Sequence, residues 1–221
     1  MILVLLGPPG AGKGTQAMRL SKVFQLEHLS SGDVLRAERK SGTDLGKRVS
    51  SYMDAGTLVP DEIIVEVILA RVLKADQGSG VLLDGFPRTA AQAQQLDASL
   101  TAAGSKVDAV LSLLVPDDQI VNRITGRRSC PTCGGVYHVQ SLPPKVEGVC
   151  DKDGTALVQR SDDTVEVVQQ RLAAYHAQTE PLESYYRERG LLVEVDGTQD
   201  VDVVFEQSQE VVNRRLGEVG L

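Results

Sequence analysis

Short apolar runs punctuate the chain where strands buried on both faces would fall. Ile2 to Leu6, Val81 to Leu83, Ala109 to Val115 and Leu191 to Val195 are each bounded by Gly, Pro or Asp, and Glu27 to Leu29 forms a weaker fifth. Helical stretches separate them over Thr15 to Phe24, Pro60 to Lys74, Ala90 to Leu100 and Thr164 to Glu188. Parallel neighbours need a long crossover, usually a helix, so the alternation predicts a doubly wound α/β fold: a five-stranded parallel sheet covered on both faces. Two stretches break the pattern. Residues 31–59 read as helices without a strand, and Gly126 to Arg160 is rich in Gly, Pro and Cys. They are expected to be insertions of about 31–59 and 127–160 in a core made of 1–30, 60–126 and 161–221.

Composition narrows the class. A chain of 221 residues, 42% hydrophobic and 24% charged, has the make-up of one folded domain with small insertions, not of a disordered or fibrous protein. Its formal net charge of −7 argues against a broad basic face for nucleic acid or an acidic membrane. The run Ile2 to Leu6 is far shorter than a membrane span and leads into glycines, so it reads as a strand and not as a targeting segment. Three cysteines, an odd number confined to Cys130–Cys150, suit a reducing compartment, and a cytoplasmic location is expected.

The sharpest motif follows the first strand and opens the first helix: Gly7-Pro8-Pro9-Gly10-Ala11-Gly12-Lys13-Gly14-Thr15. Glycines let the backbone wrap a phosphate chain, amide N–H groups and the helix N-terminus supply positive potential, and Lys13 adds a point charge. The usual hydroxyl directly after the lysine is displaced by Gly14 to Thr15. Asp84 ends a predicted strand beside this loop, where a carboxylate can orient Mg²⁺ through water. Asp162 and Asp163 are weaker candidates, and at least one is expected to cap the helix starting near Thr164.

A second constellation lies in the later insertion: Cys130-x2-Cys133-x16-Cys150-x2-Asp153. Two knuckles of this spacing bring four donors to one tetrahedral point with no open position, which makes a bound metal structural. Zinc suits sulfur-rich ligation, and iron or cobalt is chemically acceptable. Asp153 mirrors the spacing of the first pair, although His138 and Asp151 are also near enough in sequence to be the fourth ligand. His28 and His176 carry no such signal.

The phosphate loop, together with Leu29-Ser30-Ser31-Gly32-Asp33-Val34-Leu35-Arg36, Met53-Asp54-Ala55-Gly56-Thr57-Leu58-Val59-Pro60, Asp84-Gly85-Phe86-Pro87-Arg88-Thr89 with Gln92, Arg123-Ile124-Thr125-Gly126-Arg127-Arg128 and Arg160-Ser161-Asp162-Asp163, resembles the nucleoside monophosphate kinases, and among them the long-lid adenylate kinases. The resemblance covers nearly the whole chain. It implies a P-loop NTPase core, with 31–59 as an AMP-binding insertion and 127–160 as a zinc-stapled lid, carrying out Mg²⁺-dependent transfer between ATP and AMP. By the same resemblance, ATP falls to Gly10, Ala11, Gly12, Lys13, Gly14, Thr15, Arg123, Arg127 and Tyr137, with Arg123 packed on its adenine. AMP falls to Ser31, Arg36, Met53, Thr57, Val59, Gly85, Arg88, Gln92, Arg160 and Arg171. Lys13, Asp84, Arg88, Arg127, Arg160 and Arg171 are the implied catalytic residues, and Cys130, Cys133, Cys150 and Asp153 the implied metal ligands.

The residue types suit this chemistry, because phosphoryl transfer needs two anions held in line and their charge neutralised, and arginine's planar fork binds phosphate by paired hydrogen bonds. Gln92 can both donate to and accept from an adenine edge, while Met53 and Val59 offer apolar contact. Ser31 stands where the family often has threonine and Thr57 where some members have lysine; the first keeps a hydroxyl and the second is expected to weaken AMP affinity without abolishing it. ATP, AMP and ADP are the implied partners of a monomer. GTP as donor or UMP or CMP as acceptor would use the same phosphate machinery. No Asn-Lys-x-Asp motif of a regulatory GTPase is present, and a zinc-ribbon nucleic-acid module fits the cysteines but not the acidic balance.

Overall fold

The computed structural model describes residues 1–76 and 80–219; residues 77–79 and 220–221, which fall within the expected core segments, lie outside the described residues. In chain order the elements are β1 (Ile2–Leu6), α1 (Lys13–Phe24), β2 (Glu27–Ser30), α2 (Ser31–Lys40), α3 (Asp44–Asp54), α4 (Asp61–Asp76), β3 (Val81–Asp84), α5 (Ala90–Ala102), β4 (Ala109–Leu114), α6 (Asp117–Thr125), β5 (Arg127–Ser129), β6 (Val136–His138), α7 (Val165–Ala174), α8 (Pro181–Arg187), β7 (Leu192–Asp196) and α9 (Val201–Val219).

Five parallel strands pair in the order β2-β3-β1-β4-β7, and β5 and β6 form a separate antiparallel pair. Side chains alternate across a strand, so β1 serves two cores at once. Ile2, Val4 and Leu6 join Leu29, Val81, Leu83 and Val110 beneath α4, α5 and α8. Leu3 and Leu5 join Leu82, Leu111 and Leu113 beneath α1, α6, α7 and α9. All five β1 side chains are at most 3% exposed, at roughly 1.5–3 kcal/mol apiece for full burial of a large aliphatic chain. This explains why the strand reads as a continuous apolar run. β2 is an edge strand with Glu27 exposed and His28 partly so, which accounts for its weaker signal.

The chain leaves β1 for β2 in one direction and leaves β3 for β4 in the other, crossing β1. Such a reversal opens a crevice at the carboxyl ends of the strands. Both insertions attach at that edge: α2 and α3 follow β2, and the β5–β6 unit follows β4 and α6.

Three features depart from the sequence expectation. The stretch Thr164 to Glu188 is not one helix: a π-helical turn at Tyr175–Thr179 separates α7 from α8, with Glu180 N–H donating to Tyr175 O at 2.9 Å. Pro181, at the first position of α8, has no N–H for the regular ladder, and the wider turn accommodates it. Helices α6 and α9, which carry no predicted element, complete the second face of the sheet. Finally, Thr164 itself caps α7 by accepting from Val167 N–H, which frees Asp162 and Asp163 from the capping role expected for at least one of them.

Candidate functional site

The loop between β1 and α1 has the conformation its glycines were expected to permit. Gly7, Gly10 and Gly12 lie at φ 129°, 80° and 95°, in the region that L side chains avoid. A Cβ on Gly10 would fall 2.6 Å from Ile124 Cγ1, so this glycine also lets α6 close against the loop. The Lys13 ammonium folds back over the loop and donates to Gly7 O and Pro8 O, both at 2.7 Å. Burial lowers its pKa to about 8, against the opposing pull of Asp84 and with the help of Arg88, Arg171 and Arg127.

Those last effects reveal the main electrostatic feature of the crevice. Arg88 is also pushed down to about 10, first by burial and then by Arg171 and Arg36, against the pull of Asp84. Arg160 is held near 10 by burial and then by Arg127 and Arg36, and burial lowers Arg171 alongside Arg127 and Arg36. Lys13, Arg36, Arg88, Arg127, Arg160 and Arg171 therefore form one field of six cations within an acidic chain. Arg123 stands apart at the end of β7, donating to Gly197 O at 2.9 Å.

Carboxylates hold part of this field in place. Asp163, fully buried, accepts from Arg127 Nε at 2.9 Å and Nη2 at 2.5 Å. Asp162 accepts from Arg171 Nη1 at 3.0 Å. These two acids thus orient arginines across the base of the lid, a role with no local sequence signal. Leaving one charge of a buried pair without its partner costs roughly 3–5 kcal/mol, so Asp163→Ala is expected to lower unfolding free energy by that amount in urea denaturation and to raise the KM for ATP. Arg160 O accepts from Asp163 N–H at 3.1 Å, but among the described residues the Arg160 guanidinium makes no hydrogen bond or ion pair within the protein.

Asp84 ends β3 with Oδ2 3.4 Å from His28 Nε2. The same oxygen would lie 3.4 Å from a Cβ on Gly14, so the carboxylate borders the phosphate loop. Hard oxygen chemistry at this point fits a Mg²⁺-bound water, with Thr15 following Gly14 in the first turn of α1.

A small recess beside Arg88 is lined by Ser31, Val59, Gly85, Arg88 and Gln92 of the expected set, together with Leu35, Leu58, Ile64 and Phe86. None of the last four is among the expected site residues; Leu35, Leu58 and Phe86 lie within the motifs quoted above, whereas Ile64 has no signal beyond helical periodicity. Ser31 donates to Gly85 O at 2.5 Å and accepts from Arg88 Nη2 at 3.2 Å, tying the ends of β2 and β3 together. Met53 is not among the walls and packs half-buried against the core. Thr57 is exposed, its hydroxyl 3.4 Å from Tyr52 O.

In the lid, one donor atom from each of Cys130, Cys133, Cys150 and Asp153 lies within 4.8 Å of the others. Cys133 and Cys150 sulfurs are 3.5 Å apart, and Cys130 Sγ is 3.3 Å from Asp153 Oδ2. A tetrahedral Zn–S₄ site at 2.3 Å implies sulfur separations of about 3.8 Å, so this donor set fits a closed tetrahedral ion. The alternatives for the fourth ligand are otherwise engaged. His138 Nδ1 accepts from the N–H groups of Gln140 and Ser141, with Nε2 at 3.1 Å from Asn122 O, and Asp151 accepts from Lys145 N–H at 2.9 Å. Tyr137 is buried against Cys130 and Cys150, and its hydroxyl accepts from Asp151 N–H at 2.9 Å, so its side chain is committed to the lid interior. His176 links Asp117 at the start of α6 to Glu180 beside the π turn. Among the described residues, no helix is long and apolar enough to cross a membrane.

Residues 5–191 match the family model described as adenylate kinase. The chain is 50% identical over 205 residues to an adenylate kinase of Lachnospira eligens, covering 93% of this chain and 96% of that protein. It is 53% identical over 201 residues to one of Caldicellulosiruptor bescii, with 91% and 94% coverage, and 47% identical over 214 residues to one of Archaeoglobus fulgidus, with 97% and 99% coverage.

Proposed function

The chain belongs to the adenylate kinase family and transfers the terminal phosphoryl group of ATP to AMP, giving two ADP; from that premise we propose which residues carry each part of the reaction. The observation that carries the assignment is the field of six cations at the strand ends, whose mutual repulsion is relieved when phosphates enter.

Lys13 and the amides of Gly10, Ala11, Gly12, Gly14 and Thr15 hold the ATP phosphates, while Arg123 packs on the ATP adenine beside Gly197. Tyr137 reaches ATP through its backbone only, since its ring is buried in the lid. Arg36 and Arg88 hold the AMP phosphate. Arg127, Arg160 and Arg171 gather about the moving group, where oriented charge accounts for most of the rate. Ser31, Val59, Gly85 and Gln92 receive the AMP nucleoside, with Leu35, Leu58, Ile64 and Phe86 as its apolar walls. Met53 and Thr57 reach it when the 31–59 insertion closes.

Magnesium arriving with ATP supplies charge neutralisation, and Asp84 is the carboxylate that would hold its waters. Zinc is the ion that best suits three thiolates and one carboxylate, and it is structural because no position is left for a reactant. Insertions 31–59 and 127–160 move over the 1–30, 60–126 and 161–221 core, bringing Arg127 and Arg160 onto the phosphates and excluding water that would otherwise take the phosphoryl group. The protein acts on free nucleotides as a monomer in the cytoplasm, without a nucleic-acid or membrane partner.

The test is a nucleotide-resolved assay with Mg²⁺, offering ATP or GTP as donor and AMP, GMP, CMP or UMP as acceptor. AMP-selective formation of ADP from ATP is the expected result. Preference for another pair would reassign the base pockets, and absence of transfer in a folded, metal-loaded sample would sink the assignment.

A further inference from the structure

Gln92 is 2% exposed yet lines the recess beside Arg88, and both ends of its carboxamide are held from behind. Its Oε1 accepts the backbone N–H of Arg88 at 2.7 Å, and its Nε2 donates to Asp61 Oδ1 at 2.5 Å. Asp61, in the first turn of α4, accepts with its other oxygen from the Thr89 hydroxyl at 2.9 Å. Thr89 in turn accepts from Gln92 N–H at 3.2 Å as the cap of α5. The carboxylate therefore has both oxygens committed and can only accept, while the Arg88 amide can only donate.

We infer that Asp61 fixes which way the Gln92 carboxamide faces, and so makes the acceptor site selective for a 6-aminopurine over a 6-oxopurine. Turning the amide over would set its oxygen against a carboxylate and its N–H₂ against an N–H, in a position closed to water. In the held orientation the amide keeps one N–H and one oxygen lone pair beyond those already used. Adenine complements them, with a ring-nitrogen acceptor at N1 and an amino donor at C6. Hypoxanthine reverses both, presenting N1–H and a C6 carbonyl, and meets like against like. The inference deepens the reading of Gln92 as the residue that meets the AMP base.

Asp61→Asn tests it, because asparagine keeps the size and start of α4 but can present either a donor or an acceptor to Gln92. Steady-state kinetics with AMP and with inosine 5′-monophosphate, at saturating Mg-ATP, should show the AMP-to-inosine-monophosphate ratio of kcat/KM falling by about tenfold, the scale of one mispaired buried polar group. In a Gln92→Leu background the same substitution should leave the ratio unchanged, since nothing remains to be oriented. An equal loss for both acceptors, or an unaltered ratio, overturns the inference by reducing Asp61 to a structural contact. Amide exchange in the wild-type protein is independent of the variant's stability: the Gln92 side-chain N–H₂ signals, identified by their loss in Gln92→Leu, should exchange slowly. Exchange as fast as that of an exposed glutamine also overturns it. A wild-type enzyme with no preference for AMP would instead fail the functional reading itself.

Discussion

Lys13→Met is expected to lower kcat/KM for transfer from ATP to AMP by about a thousandfold while leaving the melting temperature at pH 7 unchanged or lowered by no more than about 10 °C. The Lys13 ammonium is the cation mounted on the phosphate loop itself, and without nucleotide it spends its donors on Gly7 O and Pro8 O. Triphosphate oxygens offer it stronger, charged acceptors. Its cost to the free protein follows from its pKa, which burial lowers from 10.5 to about 8. A folded pKa below the unfolded one means that the native state binds this proton more weakly. The protonated lysine thus destabilises the fold below pH 8, by roughly 3 kcal/mol at most, and the penalty fades as pH rises from about 8 to 10.5. Methionine removes that penalty and also the two hydrogen bonds to the loop carbonyls, worth about 1.5–3 kcal/mol each when the donor is charged, so the balance runs from an even offset to a net loss of about 3 kcal/mol. Denaturant titrations should show stability rising over this pH interval in the wild type and not in the variant. Transfer within tenfold of wild type would remove Lys13 from the phosphate site, and a collapsed melting temperature would make the residue structural.

What the sequence made legible is what short-range chemistry dictates. β1 is apolar at every position because it feeds both cores, and the loop after it needs glycines at the positive φ values of Gly7, Gly10 and Gly12. The cysteine knuckles carry their own spacing, and Cys130, Cys133, Cys150 and Asp153 converge as that spacing requires. Contacts made across the fold were less legible. Asp163 lies 36 residues from Arg127 and Asp61 lies 31 from Gln92, so neither pairing leaves a local pattern. For Asp162 and Asp163, capping was the reasonable local expectation, but Thr164 took the cap and left both acids to the arginines. The π turn was hidden because hydrophobic spacing runs on through Tyr175 to Thr179 even though Pro181 signals a break. Helix α6 spans 9 residues, of which only Ile120 and Ile124 are buried, too few to establish a period.

Removing the metal from the lid is expected to lower the first melting transition by about 10 °C while leaving turnover at low temperature within a few-fold of the loaded enzyme. The lid has little else to hold it. Its interior is Cys130, Tyr137 and Cys150 with Leu157 against them, whereas Val139, Leu142, Val146 and Val158 are 50%, 54%, 62% and 46% exposed. Its β5–β6 ladder is three residues long on each side, too short to persist unaided. For a unit of this kind, the free energy of metal binding is folding free energy. A loss of roughly 3–5 kcal/mol converts to about 10 °C in a protein of this size, at 2–4 °C per kcal/mol. Cys150→Ser should reproduce the shift and make it insensitive to chelator. Turnover is spared for a geometric reason: Lys13, Arg88 and Arg171 are mounted on core elements, and Arg127 is clamped by Asp163 at the base of the lid, outside the knuckles. Below the transition the lid is expected to close with those arginines in place. Calorimetry and turnover on chelator-treated protein, with zinc restored as the control, separate the two effects. Loss of turnover in metal-free protein whose circular dichroism and melting remain native-like would move the ion from the structural to the catalytic side.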